Sequence, residues 1–184
     1  MAIYYNNDSS FLSKKEKTVT RSFRVSESVF KALEEDAARR NVSVNTLLNQ
    51  LLLAYTNWGR FIDRVGAIRT SKVALRCILN ASSDEGVIDA AREVGPDTPK
   101  SIILAKHGTL SLATVLDYVR NASMYGGFAE YNEVENQGKM TITLMHELGR
   151  KGSLFISNTV ESLFRMINIH PKMNSTEHTV IIVI

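Results

Sequence analysis

The chain has 184 residues, 44% of them hydrophobic and 22% charged, enough for one ordinary domain and a smaller module. Its net charge of +3 is unevenly spread: residues 1–60 hold 9 Lys+Arg against 6 Asp+Glu, and the remainder balances at 13 of each. A single cysteine, Cys77, excludes an internal disulfide framework, and the run VIIVI is too short to cross a bilayer.

The opening MAIYYNNDSSFLSKKEK lacks the apolar centre of a signal peptide. Residues 1–16 read as a flexible basic arm of a soluble, cytoplasmic, membrane-free protein, with Lys14, Lys15 and Lys17 ahead of the first element. That element is TVTRSFRV, in which Thr18, Thr20, Ser22 and Arg24 alternate with Val19, Phe23 and Val25. A period of two predicts a strand with one buried face, broken only by Arg21. A lone strand of this length cannot bury its apolar side chains or satisfy its edge, so its partner is expected on a second copy of the chain.

Two helices follow. Ser26 and Ser28 supply capping hydroxyls for the first, whose face is Val29, Phe30, Leu33 and Ala37 and whose end falls near Asn41, a residue that tolerates the left-handed conformation. Ser43 caps the second, with the stripe Val44, Leu47, Leu48, Leu51, Leu52, Tyr55 and Trp58. Phe61, Ile62 and Val65 prolong that stripe, so a helix of about 22 residues and about 33 Å is expected despite Gly59.

The run RSFRVSESVFKALEEDAARRNVSVNTLLNQLLLAY resembles the ribbon-helix-helix module of the Arc/MetJ/CopG repressors, in strand alternation, S-x-S helix start and N-V-S-x-N junction. In that family two chains pair their strands into a ribbon that lies in the DNA major groove. The resemblance, over about residues 17–58, implies base contacts from Thr20, Ser22 and Arg24, with Phe23 and Val25 packed beneath. Arginine reads guanine O6 and N7 with two hydrogen bonds, and hydroxyls read donors or acceptors. Phosphate contacts are expected from Lys14, Lys15, Lys17 and the start of the second helix at Ser43, Val44 and Asn45, whose backbone N–H groups face outward. The sequence departs from the family at Arg21, usually apolar there, and at Asn41, where family members often carry glycine.

Residues 17–65 therefore read as a DNA-binding domain with an extended second helix, and residues 66–99 as a helical connector. Within the connector, helices are expected from Ser71 to Asn80 and from Asp84 to Val94, with Cys77 buried among Val73, Ala74 and Ile78. GPDTPK, with two prolines in four residues, marks a boundary. Residues 100–184 then read as strand SIILA, helix Leu110–Met124, strand Phe128–Glu135, a turn at Asn136–Gly138, strand Met140–His146, helix Leu154–Ile167 and strand His178–Ile184. That order, βαββαβ, is ferredoxin-like and makes the chain an α+β protein. The last strand, HTVIIVI, is apolar on both faces, which predicts a cover from residues 71–95 or a second subunit. The architecture is similar to that of nickel-responsive repressors, whose C-terminal domain binds metal and assembles tetramers, but their ligand set has no match here.

In a ferredoxin-like sheet His107, His170 and His178 would gather at one end and His146 at the other. No spacing among them is a metal signature, so structural or surface roles are favoured. HELGRKGS, residues 146–153, leads two glycines and two cations into a helix. Arg150, Lys151, Gly152 and Ser153 there form a candidate anion site, set against the plainer reading of a capped turn. No G-x-S-x-G, H-E-x-x-H or placed Cys–His pair is present, so an enzyme is not expected. The reading is a homodimeric or tetrameric transcriptional regulator of double-stranded DNA, a repressor without a cofactor, whose C-terminal half oligomerises or senses a small-molecule or metal effector. The alternative is an antitoxin, which shares the N-terminal module but neutralises a toxin by protein contact; such proteins usually end in a short, poorly ordered segment.

Overall fold

A computed structural model of the chain describes residues 17–184. The arm at 1–16, with Lys14 and Lys15, lies outside the described residues. Two compact units divide at Thr56 and Asn57.

In the first unit residues 17–26 form neither helix nor strand. The expected strand is absent because one chain offers it no hydrogen-bonding neighbour, and the single chain accordingly does not display a ribbon-helix-helix module. α1 (Glu27–Arg39) follows, with Ser26 at the cap position but making no side-chain cap; its hydroxyl meets that of Ser28 at 3.2 Å instead. The end of α1 is closed as the sequence suggests. Asn41 takes φ 54°, its N–H reaches the Ala38 carbonyl at 3.1 Å, and the Val42 N–H reaches the Ala37 carbonyl at 3.0 Å. These two bonds are the pair that terminates a helix through a left-handed residue. α2 (Val44–Ala54) starts at Ser43, whose Oγ accepts from the Thr46 N–H at 3.0 Å. The two helices bury Ala37 and Leu47.

A π-helical turn (Tyr55–Gly59), α3 (Arg60–Ile62) and a 3₁₀ turn (Asp63–Val65) continue the helical backbone to Gly66, which closes it at φ 66°. One uninterrupted α-helix to Val65 is therefore not what forms. Gly59 weakens the α-helical ladder, and the wider turn lies at that point.

The second unit, Asn57–Ile184, contains α4 (Lys72–Ala81), α5 (Asp84–His107), α6 (Leu112–Gly126), β1 (Glu130–Asn136), β2 (Lys139–Met145), α7 (Gly149–Arg165), β3 (Lys172–Ser175) and β4 (Thr179–Val183). Serines cap the first three helices: Ser71, Ser83 and Ser111 each accept an N–H three residues on. The strands form one antiparallel sheet in the order β1-β2-β4-β3.

The ferredoxin-like arrangement expected for residues 100–184 is thus incorrect, since all four strands follow α6. SIILA is the last part of α5, and the expected boundary GPDTPK lies inside the same helix, with Pro96 and Pro99. Ile102 and Ile103 are adjacent and both buried, at 3% and 1% exposure, which a helix wedged between neighbours permits and a strand with alternating faces does not. A short apolar run cannot be told from a buried helix by periodicity, and burial of Val87, Ala91, Ile102 and Ile103 outweighs the roughly 3 kcal/mol that an interior proline costs. The remaining strand, β3, is polar and follows Pro171, as suits an edge.

α7 lies between the sheet and α5. Its Ile156, Val160, Leu163 and Phe164 join Ile142 and Leu144 of β2, Val180 and Ile182 of β4, and Val115 and Val119 of α6 in one core. Gly95 of α5 permits the close crossing of α7, because a Cβ there would stand 2.9 Å from Ser162 Cβ and 3.2 Å from the Thr159 carbonyl oxygen. Directly opposed residues of antiparallel strands share a face. The sheet face away from the core therefore carries Val134, Met145, Ile181 and Val183 among Thr141, Thr143, Thr179, Asn132 and Asn174, with Glu130, Lys139 and Lys172 at its margins. The expectation that residues 71–95 cover this face does not hold: they form α4 and the start of α5, which pack on α7. Cys77 is exposed rather than buried, because the inward stripe of α4 runs through Leu75 and Leu79 and misses it.

Candidate functional site

Thr20, Ser22 and Arg24, the expected base-reading residues, lie in the segment without secondary structure and are exposed, as is Lys17. Arg21 donates to the Thr20 carbonyl at 2.9 Å. Among the described residues Arg24 has no ion-pair partner. At the alternate positions Val19, Phe23 and Val25 are 71%, 81% and 55% exposed. Val29, Phe30, Leu51 and Leu52 of α1 and α2 are exposed as well. Among the described residues this small unit buries Ala37 and Leu47 alone while presenting many large apolar groups, too little for a core of its own from these residues. Ser43, Val44 and Asn45 begin α2, where the first backbone N–H groups of any helix lack intrahelical partners; Thr46 N–H is the one taken by Ser43.

Arg150, Lys151, Gly152 and Ser153 fall in the first turn of α7, which begins at Gly149 rather than at Leu154. Arg150 donates to Asp84 at 2.7 Å, and this hydrogen bond holds the exposed Asp84 carboxyl below its usual range. Lys151 Nζ donates to the Asn80 carbonyl at 3.2 Å and to that of Ser82. Both cations thus fasten the start of α7 to the α4–α5 turn. Gly152 is buried, and a Cβ there would collide with Leu148 Cβ at 2.2 Å.

Ser153 is 1% exposed, and its Oγ lies 2.8 Å from Nε2 of His146, itself 5% exposed. The Leu148 backbone N–H donates to His146 Nδ1 at 3.1 Å. An imidazole nitrogen that accepts carries no proton, so in the neutral ring the proton sits on Nε2 and is donated to Ser153. That is the wrong tautomer for a base that would activate serine, which requires a lone pair on the nitrogen facing the hydroxyl. Burial, and then the charges of His178 and Lys72, push His146 below its ordinary pKa. The pair is a structural brace that joins the end of β2 to α7.

His107, His170 and His178 do not form one group, because the strand order that would gather them is absent. His107 closes α5 and lies 2.8 Å from Asp117 of α6, which also accepts from Lys106 at 2.7 Å. Burial alone would raise the Asp117 pKa, but hydrogen bonds from Lys106 and His107 hold it low. His178 packs edge-on to His146 with 6.5 Å between ring centroids. No set of three metal-binding side chains occurs among the described residues. The recess beside Asp117, lined by Trp58, Tyr118 and Asn121, holds about 10 Å³, room for about one water. Sequence reasoning missed Asp84 and Asp117 as partners, since both pairings join helices whose packing no local pattern encodes.

No protein-family model matches the chain, and no curated protein is similar to it.

Proposed function

We propose that the chain is a sequence-specific DNA-binding transcriptional regulator that acts as a homodimer, its two N-terminal segments pairing as a β-ribbon in the major groove. The observation that carries this reading is the exposure of Val19, Phe23 and Val25 at positions that alternate with Thr20, Ser22 and Arg24. A second copy of the same segment would satisfy the unpaired backbone, bury the apolar side against α1 and α2, and leave the polar side outward. The charge excess in residues 1–60 supports the same assignment. Arg24, Thr20 and Ser22 then read base edges, while Lys14, Lys15, Lys17 and the start of α2 at Ser43, Val44 and Asn45 bind phosphate. The proposed assembly is a dimer or tetramer, with Asn57–Ile184 as its oligomerising or effector-sensing part. That part is a folded unit rather than the short tail usual in antitoxins, which favours the regulator.

Selection of bound duplexes from a random pool, run with the wild type and with Arg24→Ala, tests the assignment. The wild type enriches a two-fold symmetric site. Arg24→Ala binds that site about 1–3 kcal/mol more weakly with relaxed preference. A uniform loss on all DNA with the preference intact would reduce Arg24 to a phosphate contact.

A further inference from the structure

The sheet of Asn57–Ile184 has one face on the core and one that no helix of that unit covers. Three of its rows, fixed by strand register, form a block with Glu130 of β1 and Lys172 of edge strand β3 at diagonally opposite corners and Val134 at a third; Asn132 and Asn174 flank the middle row, and Asn136 with Lys139 lies one row beyond Val134, outside the block. Thr143 and Ile181 stand at the centre. Val134 is 57% exposed and Met145 44%. Among the described residues neither Glu130 nor Lys172 has an ion-pair partner. We infer that this face is a docking surface for the same face of a second copy, stacked with the strands crossing near a right angle. The inference does not rest on the DNA-binding assignment.

Charge placement selects both occupant and geometry. Strands about 4.8 Å apart and residues rising about 3.4 Å make the grid nearly square, about 14 Å on each side. Sheets stack either aligned or orthogonally. A two-fold axis parallel to the strands, which stacks the sheets aligned, would set each Lys172 over Val134 of the other copy. An axis perpendicular to the strands would set each Glu130 there. An axis along the diagonal through Val134 instead sets each Glu130 over Lys172 of the other copy, brings Val134 against its own equivalent, and closes Thr143 and Ile181 into a dry centre. Only this last arrangement pairs every corner charge and buries none on an apolar residue. A footprint on the order of 400 Å² per copy is smaller than that of stable complexes, so the contact forms reversibly as concentration rises.

Sedimentation equilibrium of the full chain over a concentration series tests it. Glu130→Lys and Lys172→Glu each place two like-charge pairs in the contact and are expected to weaken association about tenfold, while the double reversal restores it. Thr143→Arg at the centre abolishes it. Pyrene attached at Val134→Cys in a Cys77→Ser chain reports the same contact where two copies are already held together elsewhere. It gives excimer emission that Thr143→Arg removes. Unchanged sedimentation in all variants together with no excimer overturns the inference and leaves the face open or covered by residues 17–56 or another protein. A double reversal weaker than either single change refutes the proposed crossing.

Discussion

Phe23 offers the sharpest separation between a chain that works alone and one completed by its copy. In the single chain the ring is 81% exposed, so truncating it to alanine removes almost nothing that the fold uses, and stability should stay within about 0.5 kcal/mol. In the proposed ribbon the same ring is buried beneath the strands. Full burial of a phenylalanine stabilises by about 1.5–3 kcal/mol, and two copies per dimer double this to about 3–6 kcal/mol. Phe23→Ala therefore raises the dimer dissociation constant by about two to four orders of magnitude. Ser22→Ala, on the polar side, serves as the control and leaves dimerisation unaltered. Sedimentation equilibrium and DNA binding at matched protein concentration measure the loss. If Phe23→Ala dimerises and binds like the wild type, Phe23 is not buried between copies and the ribbon is refuted.

Other outcomes follow from Asn57–Ile184. Gly95→Ala gains about 1 kcal/mol of helix propensity but drives a methyl group into Ser162 and the Thr159 carbonyl. Overpacking of that kind costs about 1–3 kcal/mol, so thermal denaturation should show a net loss of about 1 kcal/mol, or about 2–4 °C; a higher melting temperature would mean that α5 and α7 cross more loosely. The depressed pKa of His146 means that the unfolded chain takes up a proton more readily than the folded one. Its stability contribution is full above about pH 6.5, the unfolded value, and declines as pH falls toward the folded pKa, by at most about 1.4 kcal/mol per unit. Melting temperatures across that range should show the decline in the wild type and less of it in His146→Gln; parallel curves would refute the brace. Ser153→Ala leaves the buried His146 Nε2–H without its acceptor and costs about 1–3 kcal/mol in chemical denaturation. A neutral effect would mean that water replaces the hydroxyl.

Features governed by local chemistry were legible in the residues. Serine caps mark the starts of α2 and α4, Asn41 marks the end of α1, and the Gln137–Gly138 pair, both at positive φ, turns β1 into β2. Features set by long-range packing were not. α5 carries two prolines and an apolar run that read as loop and strand, and only its burial against α6 and α7 makes it a helix. The sheet order followed that misreading, and with it the expected grouping of His107, His170 and His178. In the candidate effector turn the residue types suggested a free anion site, whereas Arg150 and Lys151 are engaged by Asp84 and by carbonyls of Asn80 and Ser82. Those partners lie about 70 residues away in sequence, beyond the reach of any spacing rule.

The most direct measurement is amide hydrogen exchange across residues 18–25, in the free protein at high concentration and on a selected duplex. Antiparallel pairing of two copies protects alternate amides in that segment, and DNA deepens the protection. Exchange at free-peptide rates in both conditions would contradict the ribbon and, with it, the assignment of this chain to gene regulation.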